Sequence, residues 1–211
     1  MYYRQHAVFL DKDGTLIEDV PHNVDPDRIR LAPGVGEGLA RLRAVGFRLI
    51  VVSNQSGVAR GFFAEEALAI VRDRINELLE AFGVELDGFY HCPHHPEGVE
   101  PRYAVACDCR KPAPGMILKA ARERAVDLGR SWFVGDILDD VEAAHRAGCR
   151  AALIDNGNET EWTRSPLRWP EIVATDLAEA ARLIAADLDS DPEMESNRPL
   201  EPNAQPTGGR P

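Results

Sequence analysis

Two carboxylates, Asp11 and Asp13, stand directly after the apolar run Ala7-Val-Phe-Leu10 and just before Gly14-Thr15. The run has the length of a buried strand. Unpaired charge is costly to bury, so acids are not expected at the end of such a strand without a partner. The carboxyl end of a strand in an open α/β sheet is also where ligands bind. A cation and an anionic substrate therefore explain the pair. A calcium loop would need further oxygen ligands and a closing Glu, and Thr15-Leu-Ile-Glu18 lacks that register. On these residues alone, a solvated acidic turn stands level with the metal reading.

Three later segments bear on the choice. Leu49-Ile-Val-Val-Ser53-Asn54-Gln55-Ser56-Gly57 is a second apolar run that ends in small donors. Arg110-Lys111-Pro112 is a paired cationic site ahead of a helical pattern. Trp132-Phe-Val-Gly135-Asp136-Ile-Leu-Asp139-Asp140 is a third run that ends in acids. Each has a plainer explanation. Ser53 and Asn54 could cap a helix, Lys111 could be exposed, and Asp136, Asp139 and Asp140 could favour a helix N-terminus. Yet only three of the 24 Lys and Arg residues are lysines, so a lysine is not the default cation here. The plain readings also leave the repeated placement at strand ends unexplained.

The order Asp-x-Asp, Ser, Lys, Gly-Asp-x-x-x-Asp resembles the four motifs of the haloacid dehalogenase-like (HAD) phosphatases, from residue 5 to residue 185. Four ordered motifs are far more specific than one. The resemblance implies that Asp11 is the nucleophile and forms an aspartyl-phosphate. Asp13 would be the general acid and base. Mg²⁺ would be held by the Asp11 carboxylate, the Asp13 backbone carbonyl and Asp136, with Asp140 supporting the site without binding the ion. Ser53 and Lys111 would stabilise the phosphoryl oxygens.

A second cluster is Cys92-Pro-His94-His95-Pro96 with Cys107-Asp-Cys109. Thiolate and imidazole donors suit tetrahedral Zn²⁺, although one residue inside each pair is tighter spacing than usual. Unrelated buried thiols or a disulfide are the other readings; a disulfide is disfavoured where no secretory signal is read. Cys-Pro-His-His-Pro followed by Cys-x-Cys-Arg-Lys-Pro resembles the D-glycero-D-manno-heptose 1,7-bisphosphate 7-phosphatase family, and in part the histidinol-phosphatase branch. The match continues through residues 53–61 and Asp87-Gly-Phe-Tyr-His-Cys92.

This closer resemblance implies a structural zinc on Cys92, His94, Cys107 and Cys109, with His91 and His95 spare. It implies substrate contacts from Asn54, Gln55, Ser56 and Arg110, the last gripping the substrate beyond the transferred phosphate. Asp19 and His22 would line the sugar pocket. The chain departs from the family at Glu18-Asp-Val-Pro-His22-Asn23, where an Asp-His-Gly-Tyr-like run is usual. Asn156 to Trp162, continuing to Trp169-Pro170, has no counterpart that can be placed. The implied activity is removal of the 7-phosphate of the heptose bisphosphate. The alternatives are histidinol phosphate or another small sugar phosphate as substrate, and, from another class, a non-catalytic zinc-stabilised binding module. Retention of Asp11, Asp13, Ser53, Lys111 and Asp136 together argues against the module.

The expected fold is α/β, a HAD-like Rossmannoid parallel sheet with helices on both faces, a zinc-stabilised loop and no large cap domain. Strands are expected at 7–10, 48–53, 87–91, 131–135 and 150–154. Helices are expected at 36–45, 64–82, 114–126, 138–147 and 176–187. Residues 1–188 suit one domain at this length, and residues 189–211, rich in Pro, Gly and acids, read as a disordered tail. A net charge of −11 disfavours nucleic acid. No apolar run is long enough for a membrane span, and Met-Tyr-Tyr-Arg-Gln-His offers no signal peptide. A cytoplasmic monomer acting on a small phosphorylated sugar is the expectation.

Overall fold

The computed structural model describes residues 5–189. The expected tail lies outside the described residues, apart from Asp189. Six strands form one parallel sheet: β1 (Ala7–Leu10), β2 (Arg48–Asn54), β3 (Gly88–Cys92), β4 (Trp132–Gly135), β5 (Arg150–Ile154) and β6 (Ile172–Ala174), in the spatial order β3-β2-β1-β4-β5-β6. Five helices cover it: α1 (Val35–Ala44), α2 (Ala67–Glu80), α3 (Gly115–Arg124), α4 (Leu138–Ala147) and α5 (Leu177–Asp189).

β1, β4 and the middles of β2 and β5 are apolar and buried because both faces of the sheet are covered. Alternation then decides which core each side chain joins. Val8, Leu10, Leu49, Val51, Trp132, Val134, Ala152 and Ile154 pack with α1, α2 and α5. Ala7, Phe9, Ile50, Val52, Phe133, Ala151 and Leu153 pack with α3 and α4. The helices are thus on both faces, as the sequence leads one to expect. Among the described residues, the segment between β1 and β2 holds only a 3₁₀ turn (Pro26–Arg28), α1 and loops, with no inserted domain.

The strand order reverses between β1 and β4. Chain leaving β1 passes to β2 on one side, and chain leaving β4 passes to β5 on the other. The loops diverge there and leave a crevice beyond the carboxyl ends, the usual ligand position in such sheets. Asp11 follows β1 and Asp136 follows β4, and Leu10 lies opposite Val134 in the register.

Two elements differ from expectation. β6 is only three residues long, too short to show a period, and is defined by its pairing with β5. α2 starts at Ala67 rather than Ala64, because Ala64–Glu66 forms turns and the Glu65 carboxylate is engaged by Tyr103 (2.6 Å) and His91 (2.9 Å). The segment from 156 to 170 is tied to α4: Arg168 pairs with Asp139 and Glu142 at 2.6 Å each, and His145 Nδ1 is 2.9 Å from the Leu167 carbonyl oxygen.

α1 and α5 cross at Gly38. A Cβ there would lie 2.6 Å from the Leu177 carbonyl oxygen, and backbone cannot move aside as a side-chain end can. In an open helix, Gly→Ala would stabilise by about 1 kcal/mol. Overpacking a close contact costs about 1–3 kcal/mol, so the clash should win. Gly38→Ala is expected to destabilise the protein, measured as a lower midpoint in urea; a raised midpoint would show that the helix contact is not tight.

Candidate active site

Asp11 emerges from β1 with its backbone N–H donating to the Val134 carbonyl of β4 at 3.0 Å. Its carboxylate is buried and meets Lys111 Nζ at 2.5 Å. Lys111 also meets Asp140 at 2.6 Å, and its ammonium lies 5.3 Å from the centre of the Phe133 ring. Lys111 is therefore not an exposed lysine; only 3% of it is accessible. Burial alone would lower its pKa, but Asp11 and Asp140 outweigh that and hold it above the usual lysine range.

Lys111 is placed by two links. Its N–H donates to Asn54 Oδ1 (3.0 Å), and its carbonyl accepts from Asn54 Nδ2 (3.1 Å), so the end of β2 grips the backbone on both sides of the lysine. It also follows Cys109 by two residues.

Asp11, Asp136 and Asp140 bring carboxylate oxygens within 4.8 Å of one another, and all three are buried. Burial and the neighbouring Asp11 push Asp136 up to about 6, against the pull of Asn158, Lys111 and Thr15. Burial also raises Asp140, although Lys111 opposes it. With all three ionised, the carboxylates would outnumber the Lys111 ammonium by two negative charges. The donor set is all oxygen, which suits a hard divalent cation such as Mg²⁺, and the charge deficit is the one such an ion would cancel.

Gly14 permits this closeness. Its φ is +81°, and a Cβ would fall 2.0 Å from Asp136 Oδ2. Thr15 Oγ1 donates to Asp136 Oδ1 at 3.2 Å.

Asp13 differs from Asp11. Its side chain is 31% exposed and pairs with Lys12 at 2.5 Å. Gln55 Nε2 donates to Asp13 Oδ2 (2.9 Å) and to Ser53 Oγ (2.8 Å), linking the two loops. Asp13 opens onto a cleft of about 130 Å³ lined also by Asp19, His22, Asn54, Gln55 and Ser56. Burial, then the neighbouring Asp13 carboxylate, raises Asp19. His22 takes a left-handed φ of +55°, and its ring meets that of Phe62 at a tilt with centroids 4.6 Å apart. Arg110 does not line this cleft; its Nη1 is buried without a hydrogen-bond partner. A larger groove of about 700 Å³ between α1 and α5 contains none of these residues.

Cys92, His94, Cys107 and Cys109 converge. The three sulfurs are 3.2–3.5 Å apart, and His94 Nδ1 is 3.3 Å from Cys109 and 3.7 Å from Cys92. Ligands about 2.3 Å from a tetrahedral centre are separated by about 3.8 Å, so the set is close to the size zinc needs. All four cysteines are free. Cys149 stands apart from the cluster, buried in the α3–α4 core. His91 and His95 are outside the cluster as well: His91 meets Glu65 (2.9 Å) and His95 meets Arg60 (3.1 Å).

Sequence reasoning missed Asn156 and Asn158. Asn158 Nδ2 donates to Asp136 Oδ2 at 2.7 Å, and Asn156 Nδ2 donates to the Gly14 carbonyl at 2.8 Å. An Asn-Gly-Asn run reads as a turn; only the fold puts that turn beside the acids.

The chain resembles known proteins in both sequence and fold. Residues 108–180 match the HAD-hydrolase-like family model. The D-glycero-beta-D-manno-heptose-1,7-bisphosphate 7-phosphatase of Photorhabdus laumondii is 39% identical over 86% of the chain and 90% of its own length. The Escherichia coli K12 protein of the same name is 42% identical over 65% of the chain and 72% of its own. A D,D-heptose 1,7-bisphosphate phosphatase from B. bronchiseptica, solved with magnesium and phosphate, superposes with a TM-score of 0.70 at 33% identity, covering 86% of this chain and 99% of that one. With 39% identity to the Photorhabdus laumondii relative over 86% of this chain and 90% of that one, the chain belongs to the D-glycero-β-D-manno-heptose-1,7-bisphosphate 7-phosphatase family of HAD-like hydrolases.

Proposed function

We propose that the protein is a Mg²⁺-dependent phosphatase that removes the 7-phosphate of D-glycero-β-D-manno-heptose 1,7-bisphosphate. The observation that carries this is the meeting of Asp11, Asp136 and Lys111 at the strand-order reversal. The names of the relatives support the substrate. The absence of a membrane-length apolar helix among the described residues and the four free cysteines support action in a reducing cytoplasm. The small cleft and the charge of −11 support a small phosphorylated sugar rather than nucleic acid as partner.

Asp11, with one oxygen turned to Lys111, attacks phosphorus through a carboxylate oxygen. The bond from phosphorus to the sugar oxygen breaks, and Asp13 gives that oxygen a proton. Asp13 then takes a proton from water, which attacks the aspartyl-phosphate; phosphate leaves and Asp11 is regenerated. The two acids suit these roles by environment. Asp11 is buried and pinned, whereas Asp13 is partly open to the cleft where water and leaving group meet it. Lys111 and the Ser53 hydroxyl stabilise the phosphoryl oxygens. Asp140 acts through Lys111, holding the ammonium in place. Mg²⁺ on Asp11, Asp136 and the Asp13 carbonyl would supply further charge neutralisation at the phosphoryl group.

Zinc on Cys92, His94, Cys107 and Cys109 would use four protein ligands and leave no open position, which makes it structural. Arg110, with its unpartnered buried Nη1, would hold a second anionic group of the substrate.

Phosphate release should be measured on the heptose bisphosphate, histidinol phosphate and simple sugar phosphates, with and without Mg²⁺. The bisphosphate should be preferred, and only with the ion; a preference for histidinol phosphate would reassign the substrate. Asp11→Asn should remove turnover, since an amide cannot form the acyl phosphate. Asp13→Asn should lower it by about 10²–10⁴-fold through lost proton transfer. Near-normal activity in Asp11→Asn would defeat the mechanism.

Arg110→Ala should impair the bisphosphate more than p-nitrophenyl phosphate, which has no second anionic group. Equal losses on both would assign Arg110 to the reacting phosphate or to the fold. Cys107→Ala should lower zinc content, melting temperature and turnover together, because a shift of about 1 Å in Lys111 can cost about 10²-fold in rate. Full activity in a zinc-free unaltered protein would overturn the structural role of the metal.

A further inference from the structure

The turn after β5, Asn156-Gly-Asn158-Glu159, opens the segment running to Pro170 that has no counterpart in the family pattern, and it takes no step in the mechanism above. It docks by side chains onto three separate pieces of the site. Asn156 Nδ2 donates to the Gly14 carbonyl at 2.8 Å, and Asn156 Oδ1 accepts from the Asn158 N–H at 3.1 Å. Asn158 Nδ2 donates to Asp136 Oδ2 at 2.7 Å. Glu159 Oε2 accepts from the Leu138 N–H, an otherwise open donor in the first turn of α4, at 2.6 Å. Gly157 has φ +90° and lets the turn close back on the sheet.

We propose that Asn158 is a positioning residue that fixes the Asp136 carboxylate for the cation, with Asn156 and Glu159 anchoring the turn that carries it. The inference deepens the reading of Asp136 as a Mg²⁺ ligand and rests on that reading.

The chemistry favours an amide at this point. A carboxylate has about four acceptor positions, so one donor on each oxygen, from Thr15 and Asn158, leaves capacity for a metal. Both donors are neutral and add no positive charge to compete with the cation. They act on opposite oxygens, so together they set the rotation of the carboxylate about its Cβ–Cγ bond. Neither alone does so. Packing is tight as well: a Cβ on Gly14 would lie 2.0 Å from Asp136 Oδ2 and 2.4 Å from Asn158 Nδ2. Asn158 itself is exposed in its turn, so its loss should spare the fold.

Manganese(II) serves as the probe, titrated against the zinc-loaded full chain without substrate, with free Mn²⁺ read by electron paramagnetic resonance. Partners that orient a metal ligand are typically worth about 10–100-fold in metal affinity. Asn158→Ala and the similarly sized Asn158→Leu should both weaken Mn²⁺ binding in that range. Their melting temperatures, taken without added Mn²⁺ or Mg²⁺, should match the unaltered protein. Asp136→Asn is the control and should lose the site. Unchanged Mn²⁺ affinity in both Asn158 variants, with Asp136→Asn defective, overturns the inference and leaves the parent reading standing. Weakened binding in Asn158→Ala alone also overturns it, since volume rather than the donor would then matter. A lowered melting temperature with unchanged affinity would make Asn158 merely structural. Normal binding in Asp136→Asn would remove both readings.

Discussion

The buried ammonium of Lys111 organises the centre of this molecule. Lys111 stands between Asp11 and Asp140 with almost no access to solvent. Removing one partner of such a buried pair leaves an uncompensated charge and is typically costly by about 3–5 kcal/mol. The surrounding structure is arranged to keep that from happening. Asn54 holds the lysine backbone from the end of β2, Phe133 lies beneath its ammonium, and the last ligand of the cysteine cluster, Cys109, stands two residues before it.

Much of this was legible in the sequence because it is local. The strand runs were visible as apolar stretches, and their acids stood at the ends where a parallel sheet presents them. The cysteine and histidine pairs had donor types that name their chemistry. Contacts that depend on the sheet order were not legible. Asp140 has the sequence signature of an ordinary acid in the first turn of a helix, and it does accept from the Ile137 N–H at 3.4 Å. Its second role, against Lys111, exists because the fold brings the segment before α3 to the start of α4. Thr15 likewise reads as a turn residue until β4 brings Asp136 to it. β6 was missed because three residues carry no period, and a strand so short is specified by its neighbour.

The cysteine loop is coupled to the site from two directions. Through Cys109 it leads directly to Lys111. Through Tyr103 it reaches Glu65, which also holds His91 at the end of β3. Strand and loop are therefore fastened by one carboxylate independently of any metal, and a metal in the cysteine cluster would add a second fastening. A hydrogen-bonded tie joined by a coordinate one would suit a segment that is otherwise built of turns.

The division between sheet and loops has an evolutionary consequence. The spacing of Asp11 and Asp136 is inherited from hydrogen bonds between β1 and β4, whereas Asp19 and His22 are carried by a loop with no such obligation. Drift in the loop can alter which molecule is admitted without disturbing the reacting groups. Substitutions in residues 18–23 would therefore reshape one wall of the cleft and leave the strand-end carboxylates where β1 and β4 hold them.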